Sequence, residues 1–167
     1  LEDIFDELID FDQRFVMIVR RHMALLGWWC IINVITGLVG LGLSTSAWWF
    51  FFLMNISWSV INFAIVLWIF NHSYYKRFAQ GDFIQRIEVQ RHMEKIMLLN
   101  IGLDLAYICA GLALLAHGQH PHRLHSDLWQ GFGWSVILQG VFLIIQDNAI
   151  HYLHLLNFRK ARPFING

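Results

Sequence analysis

The sequence LWQGFGWSVILQGVFLIIQDNAIHYLHLL, residues 128–156, is long enough to cross a bilayer but carries polar and ionisable side chains in its second half. A helix needs about 20 apolar residues to cross about 30 Å of hydrocarbon. At 100° per residue, five small or ionisable positions fall within about 60° of each other. They are Gly133, Gly140, Asp147, His151 and His154. An ionised carboxylate at the bilayer centre costs at least about 2.5 kcal/mol, so this stripe is expected to face protein or a wet cavity.

The composition excludes an ordinary soluble domain. The chain has 167 residues, of which 57% are hydrophobic, 16% aromatic and 14% charged. Four apolar stretches approach or exceed the length of a membrane span; they are residues 24–43, 47–70, 96–116 and 128–156. We therefore predict an all-α integral membrane protein, a four-helix transmembrane bundle that forms a single membrane domain over residues 1–167.

The basic residues indicate the orientation. Eleven of the twelve Lys and Arg residues fall in the N-terminal region, the middle loop or the C-terminal tail, and only Arg123 lies in another loop. The positive-inside rule then predicts that both termini and the middle loop are cytoplasmic. No basic run points to nucleic acid. Membrane lipid is the expected partner that surrounds the bundle.

Residues 1–21 predict a cytoplasmic amphipathic arm, and residues 158–167 a cytoplasmic tail. Apolar side chains of the arm, Phe11 and Phe15 among them, recur at helical spacing opposite acidic ones. Its acidity favours packing against protein, with the basic middle loop as the candidate surface. The alternative is a simple extension of the first helix.

The two halves of the chain share a faint duplication. Trp58-Ser59-Val60 recurs as Trp134-Ser135-Val136, and Gly40-Leu41 recurs as Gly111-Leu112. We expect two parallel two-span repeats, residues 22–80 and 82–157. Because each unit contains two spans, a pseudo-twofold axis should run along the membrane normal.

A polar layer is expected to cross the bundle. On the third span, Asn100, Asp104 and Tyr107 share one helical face, and Asp104 lies nearly level with Asp147. The predicted ligand-binding residues are Asn33, Asn62, Asn100, Asp104, Tyr107, Gln139, Asp147 and His151, with His151 as a candidate to neutralise an acid. The layer is either a self-satisfied hydrogen-bond network or a site for a proton, a cation or a small polar or amphiphilic ligand.

Histidine is frequent, with nine in the chain. His151 and His154 are three residues apart, which suits a metal site. Four more, His117, His120, His122 and His125, crowd the loop between the third and fourth spans, which is predicted to face the outside. They either bind metal or simply form a polar loop. Haem or a transition metal with a redox role is thus an alternative function, although the sequence requires no cofactor. A membrane scaffold is the third.

Two further features concern contacts within the membrane. Gly102, Ala106, Ala110 and Ala113 form a small-residue face that either the first helix or a second copy of the chain would cover. Cys30 and Cys109 are expected to be unpaired thiols.

The run Asn100–Asp104 with Tyr107 and Gly111, and the run Gly131–Ser135 with Gln139, Gly140 and Asp147, resemble a group of uncharacterised small bacterial four-span proteins. Asn55, Trp58 and Asn62 add to the resemblance. The resemblance implies a four-span fold and an inner-membrane location, but it implies no particular activity. It also implies importance for six polar residues: Asn55, Asn62, Asn100, Asp104, Gln139 and Asp147. No nucleophile or phosphate-binding motif is present, so nothing in the sequence indicates an enzyme.

Overall fold

The computed structural model describes residues 2–72, 83–120 and 124–165, with the exception of some side chains near the ends of these ranges. The described chain forms four α-helices and no strand. The helices are α1 (Glu2–Leu43), α2 (Ser46–His72), α3 (Phe83–Gly118) and α4 (Ser126–Ile165). Each of the four is long and apolar enough to cross a membrane, in agreement with the four spans expected from the sequence.

The N-terminal region is part of the first helix. No break separates residues 2–21 from the span that follows, so the arm is not a separate helix. Its apolar face packs as the periodicity predicts, because Phe11 and Phe15 are buried against Met93 and Ala161. The N-terminal region is thus a continuous extension of α1, and it packs against the first part of α3 and the last part of α4.

Helix α4 is the centre of the bundle. It contacts each of the other three helices, most extensively α3, while α1 also packs along α2. Helix α3, in contrast, makes only marginal contact with α1 and with α2. A space therefore remains between α3 and the α1/α2 pair, with α4 behind it.

Glycines allow α3 and α4 to approach closely. A Cβ atom on Gly133 would lie 2.9 Å from the carbonyl oxygen of Gly111, and one on Gly140 would lie 3.1 Å from the carbonyl oxygen of Asp104. The glycine part of the predicted α4 stripe therefore faces the backbone of α3. This contact fixes the position of Asp104 beside α4.

Much of the outer surface is apolar. Large side chains such as Trp28, Leu38 and Ile145 are exposed, as expected for helices that face lipid. The small-residue face of α3 is exposed too, so α1 does not cover it. Cys30 is buried and Cys109 is exposed, and both are free thiols.

Candidate functional site

The space between α3 and the α1/α2 pair is a cavity of about 420 Å³. Six polar or aromatic-polar side chains line it: His22, Asn62, Asn100, Asp104, Tyr107 and Asp147. The remaining lining consists of aliphatic and methionine side chains from all four helices. Five of the eight residues predicted to form the ligand site therefore meet at one cavity, and His22 joins them.

Asp104 is the least satisfied acid of the cavity. Its side chain is 3% exposed, and its Oδ2 atom has no hydrogen-bond partner in the described part of the chain. The Nδ2 atom of Asn62, across the cavity on α2, also lacks a partner among the described residues. A buried polar atom left unpaired costs about 1–3 kcal/mol. A bound molecule that forms a hydrogen bond with either atom would recover this free energy.

Asp147, the second acid, has a histidine partner. The Nε2 atom of His22 lies 3.3 Å from its Oδ1 atom, and both side chains are buried. The sequence had pointed to His151 as the neutralising residue; His151 is half-buried and does not line the cavity. Asp104 and Asp147 line the same cavity, so two carboxyl groups face one space. The imidazole of His22 offsets only one of the two carboxyl groups.

Tyr107 provides an aromatic side chain to the lining, at the end of the cavity farther from both termini. Its ring and the Trp58 ring form a T-shaped pair with a centroid distance of 4.9 Å and an interplanar angle of 86°. This contact holds the tyrosine ring in place between α2 and α3. Asn100 lies one turn below Asp104 and is half-buried.

Asn33 and Gln139 lie outside the cavity, in an amide network between α1, α2 and α4. The Gln139 Nε2 group donates to Asn33 Oδ1 at 3.1 Å and to Asn55 Oδ1 at 2.8 Å. The Trp29 Nε1 group donates to Gln139 Oε1 at 2.7 Å, and the Ser135 hydroxyl donates to Asn55 Oδ1 at 2.7 Å. The members satisfy one another, so this network stabilises the packing of three helices.

The position of Asn33 corrects the expected polar layer. His22, and not Asn33, lies at the depth of Asp147 on α1. The two α1 residues are eleven positions apart, or about 16 Å along a helix. Because α1 continues to Glu2 without a break, a depth counted from an inner end near Ala24 placed Asn33 too close to Asp147.

A second polar cluster lies below the cavity, toward the end of the bundle that carries both termini. Gln90 is fully buried and donates to Glu94 Oε1 at 3.1 Å and to the backbone carbonyl of His154 at 2.9 Å. The Nδ1 atom of His154 lies 3.3 Å from Gln90 Oε1. Sequence reasoning missed Gln90 and Glu94. They are four residues apart, in a part of α3 whose many charged residues are typical of a solvated surface helix.

Ion pairs and amide contacts fasten the N-terminal part of α1 to α3 and α4. Arg14 donates to Asn157 Oδ1 at 2.8 Å and pairs with Glu7. Asp12 pairs with Arg86 near the start of α3. The expected contact between the acidic arm and the basic segment that precedes the third span is thus observed at this pair.

The histidines considered as metal ligands do not converge in the described structure. No group of three or more His, Cys, Asp or Glu side chains with metal-binding geometry occurs among the described residues. His154 is buried beside Gln90, and His117 packs on the edge of Trp129 at a centroid distance of 5.1 Å. His120 and His125 are exposed, and His122 lies outside the described residues.

Fold and site together define the class: an all-helical protein with four helices long and apolar enough to cross a membrane and with a polar cavity between them. The chain belongs to the family of unknown function DUF6992, which matches residues 25–148. This agrees with the resemblance to an uncharacterised group. The matched range includes Asn62, Asp104 and Asp147 but not His22. The chain matches no curated protein and no solved structure.

Proposed function

We propose that this protein spans the bacterial inner membrane four times and binds a small amphiphilic ligand in the cavity beside Asp104. Both termini lie in the cytoplasm in this proposal. The exposed apolar side chains of the helices support the membrane location. The orientation is supported by the charge pattern of the sequence, in which eleven of the twelve Lys and Arg residues fall in the N-terminal region, the middle loop or the C-terminal tail.

The two helical hairpins, α1/α2 and α3/α4, are the units of the proposed parallel repeat. Twofold symmetry would make the contact between α1 and α4 equivalent to the contact between α3 and α2. The first contact is formed, whereas the second is marginal. The cavity lies where the second contact is missing, so a departure from symmetry would create the binding site.

One observation carries the ligand proposal. Asp104 and Asn62 face the same cavity, and each has a buried polar atom without a partner in the described structure. A network that serves only to hold helices together satisfies its own groups, as the one around Gln139 does. The cavity does not, and a bound molecule would supply the missing partners.

The shape and the chemistry of the cavity favour an amphiphile. Its volume of about 420 Å³ lies within the range of small-molecule sites, about 300–1,000 Å³. Polar groups are few and apolar ones are many, which is the usual composition of such sites. Ile65 and Leu103 belong to the lining and are also exposed on the outer surface, so the apolar part of a ligand has a route from lipid.

The test is mass spectrometry of protein extracted together with its native lipids. We expect a small amphiphile to co-purify with the natural protein and to be lost from Asp104→Asn. Asp127→Asn removes the same charge at an exposed position on α4 and serves as the matched control. Retention of only bulk lipid by the natural protein, or equal retention by Asp104→Asn, would contradict the proposal.

A further inference from the structure

We propose that the ligand is a primary amine on an aliphatic chain, with its ammonium group bound at Asp104. This inference rests on the proposed function of the cavity and names the chemical class that the cavity accepts. It follows from four properties of the lining: its charge, the pairing of its two acids, its aromatic ring and its methionines.

The charge of the lining disfavours an anionic ligand. Two carboxyl groups, Asp104 and Asp147, face the cavity, and the imidazole of His22 is the one basic group among its described lining residues. An anion would therefore meet two acids without a Lys or Arg partner in that lining. A cation, in contrast, would be attracted by the two carboxyl groups.

The pairing of the acids selects the atom that binds the cation. Asp147 has His22 at 3.3 Å, whereas Asp104 Oδ2 has no partner among the described residues and its side chain is 3% exposed. A primary ammonium group donates three hydrogen bonds in several directions. One would go to Asp104. A half-turn of the Asn62 side-chain amide would put its oxygen where the unpartnered nitrogen now lies, and this oxygen would accept the second. The side-chain amide of Asn100, also in the lining, offers an oxygen for the third.

Neutralisation of the carboxylate is the energetic reason to bind an amine. A buried charge that lacks a partner is costly, whereas a charge-assisted hydrogen bond contributes about 1.5–3 kcal/mol. Tyr107, which lines the cavity, adds an aromatic ring, and cations are attracted to the faces of such rings. A neutral head group such as an alcohol would donate a hydrogen bond to the carboxylate but would leave its charge unneutralised, and an anionic one would be repelled.

The rest of the lining suits an unbranched hydrocarbon chain. Three methionines, Met23, Met93 and Met97, line the inner part of the cavity. Methionine is flexible and polarisable, so it adapts to chains of different shape. A bare metal ion would leave most of the volume of about 420 Å³ unfilled, whereas an alkylamine would fill it.

The experiment uses three photoreactive probes of equal chain length, an alkyl diazirine that ends in an amine, an alcohol or a carboxylic acid. The full chain is placed in phosphatidylcholine nanodiscs, and labelled residues are mapped by mass spectrometry. We expect the amine to label residues of the cavity and to do so about tenfold or more above its labelling of Asp104→Asn. Asp127→Asn should label like the natural protein.

Competition on the natural protein gives a second measurement that needs no variant. Octylamine should displace the amine probe, whereas octanol and octanoate at the same concentration should not. Repetition in phosphatidylethanolamine nanodiscs distinguishes two sources of the ammonium group. Loss of labelling there assigns it to a lipid headgroup and persistence assigns it to a free amine, and the binding of an ammonium group at Asp104 holds in both cases.

The outcomes separate the two proposals. Cavity labelling by the alcohol or the acid that equals labelling by the amine, and that survives in Asp104→Asn, would overturn the amine class and leave an amphiphile site. Absence of cavity labelling by all three probes in the natural protein would overturn the amphiphile site itself.

Discussion

The Nε2 atom of His22 lies 3.3 Å from the Oδ1 atom of Asp147, and the two buried side chains join the inner part of α1 to the centre of α4. This pair gives one acid of the cavity a partner and leaves the other, Asp104, without one among the described residues. Asp147 is therefore paired within the protein, whereas Asp104 is the carboxyl group proposed to bind the ligand.

Replacement of His22 by alanine should destabilise the fold by about 3 kcal/mol, because it leaves the Asp147 carboxyl group buried without a partner. The measurement is the free energy of unfolding in mild detergent. In the double variant His22→Ala/Asp147→Asn the loss should be smaller than the sum of the two single losses. Additive losses would show that the two side chains do not interact.

Replacement of Gln139 by leucine should cost about 2 kcal/mol, because the donors and acceptors of Trp29, Asn33 and Asn55 lose their shared partner. Binding in the cavity should change little at temperatures where the variant remains folded. The control is Asn148→Leu, which removes an exposed amide that donates to the Ile144 carbonyl oxygen within α4. Equal stability of the two variants would contradict a structural role for the Gln139 network.

Gly140→Ala should weaken both folding and ligand binding. Its Cβ atom would lie 3.1 Å from the Asp104 carbonyl oxygen and 2.8 Å from Ile108 Cγ1, so α3 must move away from α4 and carry Asp104 with it. Gly102→Ala is the matched control because a Cβ atom there meets nothing within 4 Å. The control should gain up to about 1 kcal/mol from helix propensity. The measurement is the thermal unfolding temperature of both variants. A Gly140→Ala variant as stable as the natural protein would argue against the close contact between α3 and α4.

Phe15→Ala should destabilise the protein by about 3–5 kcal/mol, because it opens a hole between α1, α3 and α4. Met17→Ala, on the exposed side of the same helix, should have an effect below about 0.5 kcal/mol. Proteolysis of the N-terminal segment provides the measurement. Equal cleavage of both variants and the natural protein would mean that the arm does not pack on the bundle.

The sequence predicted most of what hydrophobic periodicity encodes. It identified the four long apolar helices, the amphipathic face with Phe11 and Phe15, and the faces that bring Asp104 and Asp147 to one place. Periodicity gives the direction in which a residue points around its own helix. These predictions depend only on that direction.

Depth was harder to predict than direction, because the hydropathy boundaries of a span do not fix how far one helix slides along another. Asn33 was placed level with Asp147, although His22 lies there. A signal for His22 existed: at 100° per residue, His22, Trp29 and Asn33 fall within about 40° on one face of α1. The Gln90–Glu94 cluster carried a weaker signal, because its residue types are typical of a solvated surface.

A molecule that occupies the cavity and binds Asp104 should be visible in a high-resolution structure of the protein extracted with its native lipids. We expect non-protein density between α3 and the α1/α2 pair, with an atom within hydrogen-bond distance of Asp104 Oδ2. A cavity closed by α3 packing onto α1 and α2, or an Asp104 carboxyl group turned outward to the lipid, would contradict the account.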